Sequence, residues 1–447
     1  ADRYVEGTCP FCAFDNARGD QCDNCGKPLD ALELIEPRSR FSGAKPEIRE
    51  TEHFFLDLGH FNDQLTEYVL AQEHWRPSVR NFSLNLLREG LRGRAISRDI
   101  DWGIPVPVEG YAHKRIYVWF DAVIGYYAAS IEWAQHVGTP EAWHAWWDED
   151  GDARAYYFVG KDNIFFHTLI WPAMLLAYGE LALPYDVPAN EWLTLEGRKL
   201  SSSRNWAVWA PDYLSRYDAD PLRYCLTVHA PETSDSDFTW QDFYDRNNNE
   251  LVGTWGNLAY RMLSFAQRNF GGVVPQPGEM AAEDQEMLAA SEAAFEEIGG
   301  LIEACRFRNA VGRAMALARE ANRYLDAAAP WKQLKSDRQR SATTTYITLR
   351  VVDSLKVLFA PFLPFSSQRL HEALGYQSSL IGEQRVEQAQ ENAHHHTVLT
   401  YQHALDGDQW RPSQLEPGQA LGEVKPLFKK LDESIVEDEI ERLHSGS

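Results

Sequence analysis

Apolar residues recur at helical spacing over two stretches in the first hundred residues. Between about Pro46 and Ile96 the runs FFLDLGHFNDQLTEYVL and VRNFSLNLLREGL place them three and four apart, the pattern of helices with one buried face. Residues 1–45, ahead of these runs, are turn-rich and bear cysteines, and RDIDWGIPVPVEGY after them reads as an extended, proline-punctuated connector. Two strand-like runs come next, RIYVWF and AYYFVG, each followed by a helix-like stretch. Strand alternating with helix predicts a parallel α/β sheet. Beyond Asp242 the strands stop, and residues 248–375 read as amphipathic helices interrupted by GGVVPQPGE, which predicts an all-α bundle. Residues 376–410, rich in Gln and His, carry the weakest signal, and LGEVKPLFKKLDESIVEDEIERL reads as a turn plus a charged helix.

A length of 447 residues suffices for two or three domains, each with its own core. No apolar run approaches the length that spans a bilayer and no secretory signal opens the sequence, so a cytoplasmic protein without a membrane role is expected. The formal charge of −23 argues against broad, nonspecific nucleic-acid binding, yet leaves room for a local basic stripe that grips one RNA. Of six cysteines, four sit in two CxxC pairs, and metal binding in a reducing compartment explains them better than disulfides.

Those four, Cys9, Cys12, Cys22 and Cys25, form C-x2-C-x9-C-x2-C, with Pro10, Gly19 and Gly26 supplying turns. Two such knuckles bring four thiolates together tetrahedrally, the closed set that a structural Zn²⁺ prefers; a redox pair is the bland alternative. Cys225 and Cys305 lie in apolar or helical contexts and read as buried core residues. In YYFVGKDNIFFHTLIWP a strand ends at Gly160-Lys161-Asp162 and a helix begins, the place where open α/β sheets bind ligands. Asn163, His167 and Trp171 follow at intervals of four and share a face, suited to a small apolar pocket or, more blandly, to a core helix with one satisfied histidine. YVWFDAVIGYYAAS repeats the strand-to-helix theme with Trp119, Asp121, Ala122 and Tyr126 at the turn, where aromatic packing is an equal explanation. In TLEGRKLSSSR, Thr194 to Arg204, a glycine turn runs into arginine and lysine interleaved with small hydroxyl residues. Such a loop can close over a polyphosphate and neutralise charge as a leaving group departs.

Lys199, Leu200, Ser201, Ser202 and Ser203 resemble the KMSKS loop of class I aminoacyl-tRNA synthetases in a KLSSS variant, with Ser202 in place of the second lysine. The zinc knuckle, YVWFDAVIGYY, GKDNIFFHTLIWP, GRKLSSSRN and a bundle containing NNNELVGTWGNLAYR occur in the order found in methionyl-tRNA synthetases, and the resemblance covers nearly the whole chain. It implies the second half of a Rossmann-like α/β catalytic core with a zinc-knuckle insertion and a C-terminal all-α anticodon-binding bundle. The expected segments are 1–45 (knuckle), 46–110 (rest of the insertion), 111–247 (catalytic core with the loop), 248–375 (bundle) and 376–447 (extension).

The resemblance also implies roles. Trp119, Ala122, Tyr126, Asn163, His167 and Trp171 match positions around the methionine side chain, with Val123 where many members have proline. Gly160 and Asp162 match positions near the adenosine ribose, and Lys199 to Ser203 the ATP-closing loop, so ATP with Mg²⁺, methionine and tRNA(Met) are the expected substrates. Asn257, Arg261 and Trp331 match positions that contact the CAU anticodon, where bases are read by stacking and by hydrogen bonds to their edges. Arg306, Arg313 and Arg323 either extend a basic face for the RNA backbone or are simply solvated.

The HIGH-type motif of such enzymes is not among these residues; LGHF at Leu58 to Phe61 follows the knuckle in a helical context and is no substitute. A preceding half on the order of a hundred residues is therefore expected, lost by truncation, processing or a split gene, with a separate N-terminal half as a candidate partner. Residues 1–447 alone are expected to give negligible pyrophosphate exchange. The rival readings are a noncatalytic tRNA-binding remnant and a class I synthetase for another apolar amino acid.

Overall fold

The computed structural model describes residues 4–18, 20–22, 24–48, 50–202, 205–391, 394–402 and 410–445. Gly19, Ser203 and Arg204 lie outside the described residues. The chain divides into two compact units, Ala1–Trp192 and Leu193–Ser447. Among the described residues no helix is long and apolar enough to cross a membrane.

The first unit opens with a three-stranded antiparallel sheet in which Val5–Thr8 is flanked by Ala17–Arg18 and Ile35–Ser39. Strand Val5–Thr8 needs glycine at position 7, because a Cβ there would stand 2.7 Å from the Ile35 carbonyl oxygen. Two helices follow, Asn62–Ala71 and Pro77–Glu89, burying Leu65 and Val69 from one and Val79, Leu84, Leu86 and Leu87 from the other. Pro77 supplies the pre-set φ of a first helical turn, and Gly90, at φ 83°, ends that helix.

Three segments depart from the sequence expectation. The FFLDLGHF run begins as strand, Phe55–Leu56, paired antiparallel with Arg94–Ala95, and LGHF is a short 3₁₀ turn. RIYVWF is strand only at Arg115–Ile116, and the helix Val118–His136 starts there, placing Trp119, Asp121, Ala122 and Tyr126 within a helix instead of at a turn. Apolar residues surround that helix on all sides while only Val123 and Ala134 are buried, so neither period stands out. AYYFVG reduces to strand Val159–Gly160, which pairs parallel with Ala189–Asn190; a second parallel pair, Leu193–Leu195 with Ser236–Phe238, lies in the second unit.

That second unit is built around the helix Arg338–Phe359, buried from Ser341 to Leu349 and again from Val351 to Phe359. Its TTTYITL run has β-branched residues that favour strands. Burial overrides the preference, and hydroxyls bond back one turn: Thr343 to the Gln339 carbonyl, Thr345 to Ser341 and Thr348 to Thr344. The helices Asn257–Asn269, Ala282–Glu303, Phe307–Ala328 and Pro364–Ala373 pack around it through Leu258, Phe295, Leu317 and Leu370. Asp220, buried on the helix Ala219–Val228, accepts from the Ser366 backbone N–H and hydroxyl, both at 2.6 Å, and so caps the start of Pro364–Ala373 from outside.

Strands do not stop at Asp242. Glu383–Glu391 and His394–Gln402 pair antiparallel as a hairpin, in the stretch whose sequence signal is weakest. One face, with Glu387, Ala389, His396, Val398 and Thr400, is at least partly buried, but the exposed face carries Val386, Leu399 and Tyr401, so the sequence shows no apolar-in, polar-out alternation.

Deep in the bundle Lys356, 3 % exposed, donates to Asp353 Oδ1 at 2.6 Å and meets His371 Nδ1 at 2.9 Å; Tyr376 stacks on His371 and donates to Asp353 Oδ2. The ammonium has protons to give and none to accept, so His371 Nδ1 is the acceptor and the ring is neutral. Burial, and then the Lys356 charge, push His371 down from 6.5 to about 4. The unfolded chain therefore binds a proton that the folded bundle excludes, and stability falls as pH drops from about 6.5 towards about 4. His371→Gln, whatever it does to Tm at neutral pH, is expected to flatten the acid-side decline of Tm; an equally steep decline in the variant would refute this.

Candidate functional sites

The two knuckles are built alike. The Ala13 N–H bonds back to the Cys9 carbonyl at 3.0 Å and the Gly26 N–H to the Cys22 carbonyl at 2.9 Å, and both Ala13 (φ 59°) and Gly26 (φ 71°) are left-handed. Sulfur pairs Cys9–Cys25 and Cys12–Cys22 stand 4.0 and 3.7 Å apart, and all four sulfurs lie within 4.8 Å of one another. A tetrahedral Zn–S distance of about 2.3 Å requires S···S separations of about 3.8 Å, so the donor set fits zinc. The Asn24 amide donates to Cys12 Sγ and pulls that thiol down to about 6, the sense metal binding requires. Burial pushes Cys22 up to about 12.

A second donor cluster, Cys225, His229 and Asp242, is differently filled. His229 Nε2 and Arg246 Nε each approach Asp242 Oδ2 to 2.5 Å, so a guanidinium stands where a metal would. Cys225 and Cys305 are both buried, as expected from sequence.

After strand Val159–Gly160 comes a 3₁₀ turn, Lys161–Asn163, then a π-helical turn, Phe166–Ile170, and the helix Trp171–Tyr178. His167, 5 % exposed, places Nδ1 2.9 Å from the Asn163 carbonyl oxygen and Nε2 2.9 Å from the Tyr126 hydroxyl. A carbonyl only accepts, so Nδ1 carries the proton and Tyr126 donates to Nε2. Burial holds the ring below its ordinary pKa, and hence neutral. The Tyr126 ring touches both His167 and Trp171, at 5.8 and 6.4 Å, so these two share a side despite the π winding. The Trp171 indole N–H donates to the Tyr157 hydroxyl at 3.0 Å, and Tyr157 packs edge-on against Tyr126. Tyr157 escapes sequence reasoning: it lies in the quoted YYFVG run, but its contacts are tertiary.

Trp119, Asp162 and Asn163 line a cavity of about 750 Å³, together with Arg94, Arg98 and Arg115, which no sequence pattern singles out. Trp119, Ala122 and Tyr126 lie three and four apart on the exposed side of the helix Val118–His136, whereas Val123 is buried in the core. Gly160 is tightly placed: a Cβ there would stand 2.6 Å from Asp162 Oδ1.

In the second unit Leu193–Leu195 turns through Glu196 (φ 50°) and Gly197 (φ 72°) into Arg198–Lys199. Asp237 holds this turn, accepting from the Thr194 hydroxyl at 2.5 Å and the Gly197 N–H at 2.9 Å. Ser201 and Trp206 bridge by two backbone bonds of 2.9 Å, closing a loop whose Lys199, Leu200 and Ser202 are exposed. The cationic segment is thus hairpin at its base.

Asn257 and Arg261 lie one turn apart on Asn257–Asn269. The Arg261 guanidinium sits 5.0 Å over the ring of Trp331, which is 41 % exposed, and 3.4 Å from Asp326. Arg313 is engaged by Glu297 and Glu320, so it is not an unopposed cation; Arg306 and Arg323 are exposed.

The family described as tRNA synthetases class I (M) matches residues 1–263, and the anticodon binding domain of methionyl tRNA ligase matches residues 274–405. The methionine–tRNA ligase of Thermomicrobium roseum is 55 % identical over 448 residues, covering 100 % of this chain and 76 % of its own length. That of Roseiflexus sp. (strain RS-1) is 54 % identical, covering 99 % and 76 %. Among solved structures, Mycobacterium tuberculosis methionyl-tRNA synthetase bound by methionyl-adenylate superposes with TM-score 0.72 at 26 % identity, over 90 % of this chain and 75 % of that one. Its apo form gives 0.70 at 26 %, over 89 % and 72 %. Sequence and fold agree, and the chain belongs to the methionine–tRNA ligases of class I.

Proposed function

We propose that this chain activates methionine with ATP, presented with Mg²⁺, to methionyl-adenylate and passes the methionyl group to tRNA(Met). The observation that carries the reading is the neutral Tyr126–His167 pair set among Tyr157 and Trp171. Its polar hydrogens are satisfied internally, so the wall it offers is aromatic and uncharged. An unbranched thioether suits such a wall, since sulfur–aromatic contacts contribute about 0.3–1.5 kcal/mol each. Trp119, Ala122, Asn163, His167 and Trp171 with Tyr126 are assigned to the methionine side chain, and Gly160 and Asp162 to the adenosine ribose.

A methionine carboxylate oxygen attacks the α-phosphorus as pyrophosphate leaves, and Lys199 with Ser201, Ser202 and Ser203 offsets the charge that develops on the departing phosphates. Catalysis is by positioning and electrostatics, with no side-chain nucleophile. Asn257, Arg261 and Trp331 are assigned to the anticodon, on an exposed indole backed by a guanidinium. Cys9, Cys12, Cys22 and Cys25 as thiolates would hold Zn²⁺ in a closed set with no position for substrate, a structural role. The same cysteine set favours a reducing compartment, and we place the enzyme in the cytoplasm. The segments 1–45, 46–110, 111–247, 248–375 and 376–447 are assigned as the sequence suggests, and the boundary between compact units falls within the third.

Pyrophosphate exchange by the full-length enzyme with methionine, leucine, isoleucine and valine tests the reading; equal exchange with leucine would sink it. His167→Ala is expected to raise KM for methionine about tenfold, a loss of about 1.4 kcal/mol, with KM for ATP little changed. Cys22→Ser is expected to lose the metal while the bundle stays folded, checked by elemental analysis and circular dichroism; purified wild type without zinc contradicts the assignment. Trp331→Ala is expected to weaken tRNA(Met) binding by about 1–3 kcal/mol and leave adenylate formation unchanged. Tight binding of a tRNA with a scrambled anticodon would count against it.

A further inference from the structure

The helix Ser434–Ser445 is attached to the base of the cationic loop by more than apolar packing. Its Ile440 and Leu443 share a core with Leu195, Trp206, Tyr213 and Trp240. Glu439, on the same helix, is 3 % exposed. It receives Arg216 through two bonds, Nε to Oε1 and Nη2 to Oε2, each 2.9 Å, and the Tyr217 hydroxyl at 2.9 Å. A buried carboxylate is costly unless so satisfied, and the two-pronged geometry permits one register of the helix where apolar contacts alone would tolerate sliding.

One turn beyond Glu439, the His444 ring lies 5.4 Å from the Trp206 indole. Trp206 closes the loop: its backbone pairs with Ser201, its indole N–H donates to the Leu195 carbonyl at 2.9 Å, and the Arg198 guanidinium lies 4.6 Å over its ring. Left-handed residues flank the loop, Glu196 and Gly197 before it and Asn205 after it. These are the positions where a change of backbone angle would swing the tip while the base stays still.

We propose that this helix is a positioning clamp on the Lys199–Ser202 loop, pinned by Glu439 and transmitted through Trp206. The inference rests on the reading of that loop as the one that closes over ATP. Holding the base fixed limits the conformations from which the exposed tip must close, so less ordering is left to ATP binding. Glu439, Trp206 and His444 are positioning residues: their effect on the reaction passes through the loop.

The test has two readouts on the same variants, Glu439→Gln and His444→Ala. The first is the rate at which trypsin cuts the native chain after Lys199, relative to the cut after Arg92, whose side chain is 91 % exposed in the other unit. Cleavage follows the population of the opened loop, so Glu439→Gln is expected to speed the Lys199 cut roughly fivefold and His444→Ala at least roughly twofold, with the Arg92 cut unchanged. The second is the kinetics of pyrophosphate exchange by the full-length enzyme, where KM for ATP is expected to rise and KM for methionine to stay. Faster loop cleavage with an unmoved KM for ATP would uphold the clamp and overturn the ATP reading of the loop. An unchanged Lys199 cut, or a matching rise at Arg92, would overturn the clamp itself. His444 is exposed, so its variant decides the matter should Glu439→Gln fail to fold.

Discussion

A backbone carbonyl can only accept a hydrogen bond, and the one at Asn163 faces His167 Nδ1. From that constraint the aromatic cluster around His167 follows in order. Nδ1 carries the proton, Nε2 is left as acceptor, and the Tyr126 hydroxyl must point its hydrogen at the ring. Burial then removes the option of a second proton. Across the π-helical turn at Phe166–Ile170 His167 reaches the Asn163 carbonyl and still lies beside Trp171, and such local irregularities often mark functional helices. The buried Ser83–Thr168 hydroxyl contact, at 2.8 Å, ties the same turn to the helix Pro77–Glu89. A cationic or anionic side chain would find no counter-charge at this pair, a consequence of hydrogen-bond direction together with burial.

How much of this was legible in the sequence depended on how local the cause is. The four cysteines were legible because a knuckle is a few residues long and its left-handed turns fall at Ala13 and Gly26, directly after each CxxC. The bundle was legible where its helices have one buried face, as Asn257–Asn269 and Phe307–Ala328 do; the central Arg338–Phe359 is buried nearly all round. For the helix Val118–His136 the existence was legible but not the start, since apolar residues surround it, most remain exposed, and its first turn reads as the end of a strand. The hairpin of Glu383–Glu391 and His394–Gln402 was missed because Val386, Leu399 and Tyr401 lie on its exposed face while Glu387 and His396 lie on the partly buried one, so polarity does not follow burial. Tyr157 could not be nominated from its neighbours, because its partners lie 14 and 31 positions away, at Trp171 and Tyr126. The resemblance to a known family located Asn257, Arg261 and Trp331, but the guanidinium-over-indole arrangement is visible only in three dimensions.

Charge is distributed more pointedly than a net −23 suggests. Many of the bundle's cations are answered at short range: Arg313 by Glu297 and Glu320, Arg246 and Arg319 by Glu250, Arg340 by the buried Asp284. Such pairing removes the broad positive field that would hold any RNA, leaving recognition to a few placed contacts. Trp331, proposed above as one such contact, is an exposed ring with the Arg261 guanidinium over its face. Stacking depends little on long-range charge, so an acidic protein can use it without becoming sticky to nucleic acid.

The two donor clusters show the same economy from the metal side. Cys9, Cys12, Cys22 and Cys25 are four sulfurs at mutual distances suited to a tetrahedral ion, and among the described residues no cation stands between them. Cys225, His229 and Asp242 offer donors of the right types at similar range, but Arg246 already balances the carboxylate. Donor identity alone would have nominated both clusters. What separates them is whether the protein has supplied the positive charge itself, and in the second it has, on a helix that also carries Asp242 one turn away.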